Sequence, residues 1–414
     1  MLWLATNLVI YRKINDGAVS LNHTILYVID AYEGGGGERD LDLLTSSNRD
    51  TGNHYEETIC TIREPAYFRD NKEIRVVSLL DKAGPGFGIA SSRGKWHGVV
   101  IGLKTLPSIF RLQRLIRKDK YDIVLATGFP ASYLCAIVSY VNSSTVFVYR
   151  AAYQRSPRVT AIERIIMERV LSRFSRIICV SNYVRDSLIN KFPSTASKCV
   201  LIYNGAISEE AKGSMMESKE NAQEGRVVYM NIGRIVPIKA QSKILDAFVH
   251  VLKKNPRHQL LFLGEGPMRG SLEEKVNSLG IEKSVLFLGH VNNPLDWVKK
   301  ADIYIHACPE GLGNAVLEAM AAGLPVIAFD SGALPELISD GHEGILVPDG
   351  DISLLSRAMI TLSEDQEMRR MMGTEAQKKI MASFTYENMR REYDQLYAQL
   401  LEEQIAETNS LDTN

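Results

Sequence analysis

Short hydrophobic runs alternate with longer amphipathic stretches over most of the chain. TILYVID, YDIVLAT, STVFVYR and RIICVS have the length and apolar content of buried strands, and RVVYMNIG, QLLFLG, SVLFLG, DIYIHA and PVIAF repeat the pattern further on. Between them, DAFVHVLKK places Ala247, Phe248, Val251 and Leu252 on one helical face. Strands that alternate with helices favour parallel sheets, so we expect an α/β protein built from two doubly wound domains.

The domain boundaries follow from where this alternation stops. The segment SEEAKGSMMESKENAQEG is polar and has no apolar period, which is typical of a linker. No strand follows the helical pattern that begins at Tyr386. We therefore predict an N-terminal extension (1–20), a first domain (21–207), a linker (208–225), a second domain (226–384) and a C-terminal helix with its tail (385–414).

Composition narrows the class of protein. The 414 residues are 45% hydrophobic and 23% charged, values that exclude disordered, collagen-like and coiled-coil chains. Five cysteines without a Cys-x-x-Cys pair indicate reduced thiols, and no apolar run reaches 18 residues. Cysteines and histidines show no metal-ligand spacing. We therefore expect a cytoplasmic protein without a metal.

Charge is distributed unevenly along the chain. Residues 101–200 contain 16 basic and 5 acidic side chains, although the whole chain has a net charge of −1. SIFRLQRLIRKDK has the pattern of a basic amphipathic helix, and this asymmetry favours an anionic partner for the first domain. A helix with one core face and one solvated face remains the alternative. Nucleic acid is disfavoured because aromatic residues do not alternate with the charges.

The segment DIYIHACPEGLGNAVLEAMAAGLPVIAF carries the most specific chemistry. A predicted strand leads into a loop with Glu310, Gly311 and Gly313, and a helix is expected to start at Asn314 as its N-cap. Glu318 then lies about one turn into that helix. Glycines admit a ligand close to the backbone, and the helix amides form an anion site, so the two carboxylates can accept hydroxyl groups on either side of a phosphate. A capped polar loop without a ligand is the alternative.

A second element, NIGRIVPIK, supplies cations. The predicted strand ends at Gly233, and Arg234 and Lys239 follow in the loop. A guanidinium and an ammonium fixed at the end of a strand can neutralise a diphosphate without a metal. Taken alone, a surface arginine and lysine are usually only solvated.

Together these residues resemble a known family. PEGLGNAVLEAMAAGLPVIA with GRIVPIK upstream is similar to the nucleotide-sugar site of family-4 retaining glycosyltransferases of GT-B fold, the glycosyl transferases of group 1. FLGEGPMRGSLEE, DSGALPELISDGHEGILVPDGD, IICVSNYVRDSL and VLIYNG agree, and the resemblance covers about residues 24–395. It implies two Rossmann-like domains facing across a cleft, with the C-terminal helix returning to the N-terminal domain.

The resemblance also implies a function. The chain would be a metal-independent, retaining glycosyltransferase without a cofactor. It would take a sugar from a nucleotide diphospho-sugar, and the resemblance implies UDP as the nucleotide of that donor. The acceptor would be a glycan or a lipid-linked glycan in capsule or lipopolysaccharide synthesis. Arg234 and Lys239 would hold the diphosphate, Glu310 the donor sugar and Glu318 the ribose. Lipid-linked acceptors of this kind are anionic and lie at a membrane. Because residues 104–176 are rich in basic side chains, we expect them to touch an anionic membrane surface or to hold an anionic acceptor, as in a peripheral membrane protein.

Further residues are assigned to the same sites. We expect the donor side to include Gly233, Gly264, His290, Gly311, Gly313 and Asn314. We expect Gly35 and Gly36 of the Gly34–Gly37 run, together with Arg150, near the acceptor or the reaction centre. A lone histidine such as His290 or His306 is more often structural, and Asp40 within Asp-x-Asp is read as the solvated start of a helix.

Departures from the family pattern keep alternatives open. The family commonly has a histidine after the strand that matches VFVYR, where this chain has Arg150 followed by Ala151 and Ala152. Arg150 is then expected to contact an anionic group. The alternative functions are a catalytically inactive GT-B subunit that binds a partner enzyme and a GT-B sugar epimerase or phosphorylase.

Overall fold

The computed structural model describes residues 23–30, 40–41, 44–45, 55–62, 74–80, 106–152, 160–207, 225–291 and 294–412. Contacts divide the chain into two compact units. The first contains Met1–Ile178, Leu188–Val200 and Arg391–Asn414, and the second contains Cys179–Ser187 and Leu201–Arg390. The predicted extension 1–20, the Gly34–Gly37 run and residues 208–224 of the predicted linker lie outside the described residues.

The first sheet has the strand order of a dinucleotide-binding fold. Its seven described strands are ordered β3-β2-β1-β4-β5-β6-β7, and β1 pairs in parallel with both β2 and β4. The strands are β1 (His23–Ile29), β2 (Tyr55–Thr61), β3 (Arg75–Ser78), β4 (Ile123–Thr127), β5 (Val146–Ala151), β6 (Arg176–Cys179) and β7 (Cys199–Leu201). The helices in this part of the chain are α1 (Leu106–Asp119), α2 (Phe129–Ser139), α3 (Ala161–Ser172) and α4 (Asn182–Lys191), with a 3-10 helix over Pro193–Lys198.

Strands β2 and β3 of this sheet were not predicted. The sequence of β2, YEETICT, is polar, yet most of its residues are buried. Glu57 is among them, and the hydroxyl of Tyr27 in β1 donates to its carboxylate at 3.1 Å. A buried strand whose polar groups are satisfied by side-chain hydrogen bonds does not produce the hydrophobic run on which the sequence prediction relied.

The long final helix packs on the first unit. In α12 (Tyr386–Asp412), the ring of Tyr397 meets Tyr55 of β2 edge-on, with centroids 5.9 Å apart. Glu403 accepts a charged hydrogen bond from Arg176 of β6 at 2.7 Å. The prediction that the C-terminal helix returns to the N-terminal domain is therefore confirmed.

A buried ion pair anchors the same helix. Arg150 of β5 and Asp40 are joined at 2.5 Å, with side chains 2% and 3% exposed. Tyr393 of α12 hydrogen-bonds to the guanidinium. Burial works against the charge of Arg150, but Asp40 and Tyr393 outweigh it, so the pKa of Arg150 is raised. The prediction that Asp40 is the solvated start of a helix is wrong, because Arg150 supplies an internal counter-ion. The anionic group that Arg150 contacts is this aspartate.

The second sheet repeats the same order. Its six described strands run β10-β9-β8-β11-β12-β13, and β8 pairs in parallel with both β9 and β11. The strands are β8 (Val228–Ile232), β9 (Gln259–Leu263), β10 (Val285–Gly289), β11 (Ile303–His306), β12 (Val326–Phe329) and β13 (Gly344–Val347). The prediction of two Rossmann-like α/β domains is confirmed.

Helices flank this second sheet. They are α5 (Gln241–Lys254), α6 (Arg269–Leu279), α7 (Leu295–Val298), α8 (Asn314–Ala321), α9 (Leu334–Leu337), α10 (Ile352–Glu364) and α11 (Gln366–Ser383). The predicted face of α5 is confirmed, since Ala247, Phe248 and Val251 are fully buried against the sheet. None of the described helices is both long and apolar enough to cross a bilayer.

Candidate functional site

The candidate site lies where the direction of strand order reverses in the second sheet. Strands β8 and β11 are neighbours there, although β9 follows β8 in the chain, so their carboxyl ends form a topological switch point. Asn231 of β8 is buried, and its side-chain amide donates to the carbonyl of Ile305 at 2.9 Å. This hydrogen bond fixes the two strand ends side by side. The loops that follow them carry the predicted cations and carboxylates.

Lys239 and Glu310 form an ion pair across the switch point. Lys239 ends a 3-10 helix over Pro237–Lys239, and its ammonium contacts the Glu310 carboxylate, which lies in the loop after β11. Burial alone would lower the pKa of Lys239, but the charge of Glu310 outweighs it and raises that pKa. The sequence predicted both residues here but not their direct contact.

Two further side chains surround the same carboxylate. His306 Nε2 lies 3.3 Å from Glu310 Oε1, and Cys308 Sγ lies 3.4 Å from the same oxygen. Burial would raise the pKa of Glu310, but the hydrogen bond and charge of His306 and the ammonium of Lys239 lower it from 4.5 to about 2. Glu310 is therefore an ionised acceptor throughout the physiological pH range. His306, read from the sequence as structural, contacts the predicted catalytic carboxylate.

The backbone of Gly332 packs directly against the backbone of Glu310. The two residues form a parallel bridge, and the amide of Ala333 donates to the Glu310 carbonyl at 3.0 Å. A Cβ on Gly332 would collide with the backbone of Glu310, and its φ of 65° is in the left-handed region. The backbone of this loop is thus held against the segment after β12.

Helix α8 presents its amino end at the site. Its N-cap is Gly313, with φ of 96° and no side-chain cap. The prediction that Asn314 is the N-cap is therefore wrong, because the left-handed conformation falls on the glycine and Asn314 is the first helical residue. Amides at an uncapped helix start are suited to an anion. Glu318 lies one turn in, as predicted, with only 6% of its surface exposed.

Residues from the first half of the sequence hold this loop in place. The hydroxyl of Ser181, which is buried, donates to the carbonyl of Gly311. The side-chain amide of Asn204 donates to Asn314 Oδ1 at 2.8 Å. Both belong to the second unit by their contacts. Sequence reasoning did not assign them, because their partners are more than 100 residues away along the chain.

The two glycines predicted at strand ends have a close-packing role. The amide of Gly233 donates to the carbonyl of Leu263 at 2.9 Å, and a Cβ on Gly264 would collide with the carbonyl of Gly233. Gly264 has φ of 137°, which also favours glycine. His290 follows β10 and is exposed. Ligand contacts for these three residues remain predictions.

Other predicted residues differ in their surroundings. Arg234 is exposed and forms no ion pair with any acidic side chain in the described part of the chain. Its guanidinium is thus available to an anion. Gly35 and Gly36 lie outside the described residues. Arg150 belongs to the first unit, where Asp40 and Tyr393 occupy its guanidinium.

The second unit therefore combines cations, carboxylates and helix amides within a few residues of one strand pair. Arg234 and Lys239 can neutralise phosphate oxygens, and the start of α8 can donate to them. Glu310 and Glu318 can accept hydrogen bonds from hydroxyl groups. This combination suits a ligand with a phosphate flanked by hydroxyl-rich rings.

Family models match both halves of the chain. Residues 215–379 match "Glycosyl transferases group 1", and residues 72–210 match "Glycosyltransferase Family 4". The first match includes every predicted residue of the site in the second unit.

Individual proteins are also similar to this chain. N-acetyl-alpha-D-glucosaminyl L-malate synthase of Bacillus anthracis is 28% identical to this chain over 45% of the chain's length. The matching stretch spans about half (49%) of the length of that synthase. UDP-Gal:alpha-D-GlcNAc-diphosphoundecaprenol alpha-1,3-galactosyltransferase of Escherichia coli is 23% identical over 68% of this chain and 76% of its own length. The crystal structure of HepE from Anabaena with UDP and glucose has a TM-score of 0.74 at 21% identity, over 91% of this chain and 100% of that one. At that identity the structural likeness concerns the fold.

Proposed function

Because this chain belongs to the glycosyl transferases of group 1, we propose that it is a retaining glycosyltransferase that uses a nucleotide diphospho-sugar. The observation that carries the proposal is the Lys239–Glu310 pair beside the uncapped start of α8. That site offers positive charge to a diphosphate and carboxylates to the hydroxyls of the rings on either side.

Each side chain then has a distinct role. Arg234 and Lys239 hold the diphosphate and stabilise the negative charge that grows on the leaving nucleotide, so these two cations can do the electrostatic work without a metal. Glu310 accepts hydrogen bonds from the donor sugar and Glu318 accepts them from the ribose. With retention, the leaving phosphate oxygen takes the proton of the acceptor hydroxyl while the sugar carbon bonds to that hydroxyl oxygen.

The donor and acceptor are proposed by analogy. HepE has been crystallised with UDP, with UDP and glucose, and with UDP-glucose, which supports UDP as the carrier. The name of the Escherichia coli relative includes UDP-Gal and a diphosphoundecaprenol-linked sugar, which supports a lipid-linked acceptor in surface polysaccharide synthesis. No cofactor beyond the donor is needed for such a transfer.

Nucleotide binding tests the donor site. Calorimetry with UDP, GDP and ADP should show micromolar binding of one nucleotide, with UDP expected. Glu318→Ala should weaken that binding by about 10- to 100-fold, as expected when one or two hydrogen bonds to a charged acceptor are lost. Glu274→Ala, an exposed glutamate on α6, is the matched control and should bind like the unmodified chain. Lack of binding to all three nucleotides would contradict the proposal.

We also propose that the first unit rests on an anionic membrane surface. On α3, Met167, Val170 and Leu171 are buried, but Ile162 and Ile165 are 72% and 60% exposed. Exposed isoleucines among arginines suit a headgroup boundary better than water. A solvated helix face is the competing reading, and the acceptor would be reached from this peripheral position.

Vesicle sedimentation separates these readings. The protein should sediment with vesicles that contain phosphatidylglycerol and remain in solution with vesicles of phosphatidylcholine alone. Ile162→Ser with Ile165→Ser should reduce sedimentation several-fold, because about 0.8 kcal/mol is lost for each methylene group no longer buried. Ile405→Ser, which changes an exposed isoleucine of α12, serves as the control. Equal sedimentation with both vesicles, or with neither, would rule the membrane surface out.

A further inference from the structure

We propose that His306, Cys308 and Glu310 form a binding site for a thiophilic divalent cation of the zinc class, and that occupancy of this site inhibits the protein. Their ligand atoms already form a compact triangle. Cys308 Sγ lies 3.2 Å from His306 Nε2 and 3.4 Å from Glu310 Oε1, and the nitrogen and oxygen are 3.3 Å apart.

This triangle has nearly the dimensions of a tetrahedral metal site. Bond lengths of about 2.0 Å to nitrogen and oxygen and about 2.3 Å to sulfur separate the ligand atoms by about 3.3 to 3.6 Å. The observed separations are within a few tenths of an ångström of these values, so little rearrangement is needed. Three protein ligands leave a fourth position for water, as in zinc sites that keep an open position.

The local backbone explains why these three residues converge. His306 is the last residue of β11, and Cys308 and Glu310 follow at intervals of two. Residues at this spacing in a strand lie on the same face, and the contacts show that Cys308 and Glu310 continue on the face of His306 beyond the end of the strand. His306 and Cys308 are each 2% exposed, and the side chain of Glu310 is 16% exposed, so Glu310 is the ligand nearest to solvent. The spacing is shorter than in the usual zinc motifs, which is why the sequence did not indicate it.

Binding requires loss of the thiol proton. The thiol proton of Cys308 passes to the buffer as the sulfur–metal bond forms. His306 coordinates through Nε2 and carries its proton on Nδ1. That Nδ1 atom is buried and has no hydrogen-bond partner among the described residues. Because an outer partner normally strengthens a histidine ligand, we expect micromolar affinity, below that of structural zinc sites.

The bound cation competes with Lys239 for the same carboxylate oxygen. Repulsion between the two positive charges would displace the ammonium, and Glu310 would lose its freedom to accept hydroxyl groups. Inhibition of transfer therefore rests on the proposed function, whereas binding of the cation does not.

Cobalt spectroscopy tests the binding step on the full chain. Co²⁺ added to chelator-treated protein should give one equivalent of a thiolate-to-cobalt absorption in the near ultraviolet, and Zn²⁺ should abolish it. Cys308→Ala should remove this absorption. Cys199→Ala should retain it, because Cys199 lies on the first sheet, outside the proposed site. Cys199 is partly exposed, so this variant is the control for non-specific binding of Co²⁺ to an accessible thiol.

A second variant distinguishes loss of a metal ligand from misfolding of Cys308→Ala. His306→Gln keeps the thiolate, so the band should persist with at least a 10-fold weaker Co²⁺ affinity. Absence of the band in the unmodified protein, its survival in Cys308→Ala, or unchanged affinity in His306→Gln would overturn the site. A chain that binds UDP without the cobalt band would refute only this inference. A cobalt band without nucleotide binding would refute only the proposed function.

Discussion

Replacing Lys239 with methionine should lower the turnover number of sugar transfer by about 100- to 1000-fold, the usual loss when one charge-stabilising group is removed. Methionine keeps most of the length of the side chain but removes the charge that pairs with Glu310. The measurement is release of nucleotide from the donor at saturating acceptor, with the turnover number and the donor KM determined separately.

The control for this variant is Lys253→Met, at the exposed end of α5, which should leave both constants unchanged. If Lys239 acts mainly on the transition state, the turnover number falls more than the donor KM rises. Turnover within threefold of the unmodified protein would show that the ion pair only shapes the loop, and the catalytic assignment of Lys239 would be wrong.

Replacing Asp40 with alanine should lower the free energy of unfolding by about 3 to 5 kcal/mol, because it leaves the charge of Arg150 buried without its counter-ion. The two side chains are almost fully enclosed, so water cannot replace the lost carboxylate. Urea denaturation followed by circular dichroism measures the change. The double variant Asp40→Leu with Arg150→Met should recover a large part of the loss, since it removes both charges.

An exposed pair provides the comparison. Glu367 and Arg370 on α11 are separated by 2.6 Å, with side chains 62% and 70% exposed, so Glu367→Ala should leave the free energy of unfolding nearly unchanged. An equal loss for Asp40→Ala and Glu367→Ala would mean that Arg150 finds another partner or reaches solvent.

The sequence predicted best those features that depend on local pattern. The apolar strands and the helix face at Phe248 are local, and their predictions are confirmed. Strand β2 was missed because Glu57 is buried through a hydrogen bond from Tyr27, so polarity concealed a core position. Asn314 was taken for an N-cap by residue type, whereas backbone conformation gives that position to Gly313.

At the candidate site, the resemblance suggested roles but not contacts. Lys239 and Glu310 were assigned to different parts of one ligand, and their pairing depends on two loops meeting after adjacent strands. The positions of Ser181 and Asn204 beside the loop depend on contacts over 130 and 110 residues. Such proximity is a property of topology, and no short stretch of sequence contains it.

The return of α12 to the first unit has a consequence for synthesis. Tyr393 and Tyr397 are fully enclosed within a core whose strands begin at His23, so the ribosome must translate most of the gene before that core can close. The second unit draws its strands from one continuous stretch, Val228 to Val347, and can mature while the first still waits. The half of the protein made first is therefore the half completed last, and its apolar surface stays exposed for longer during synthesis.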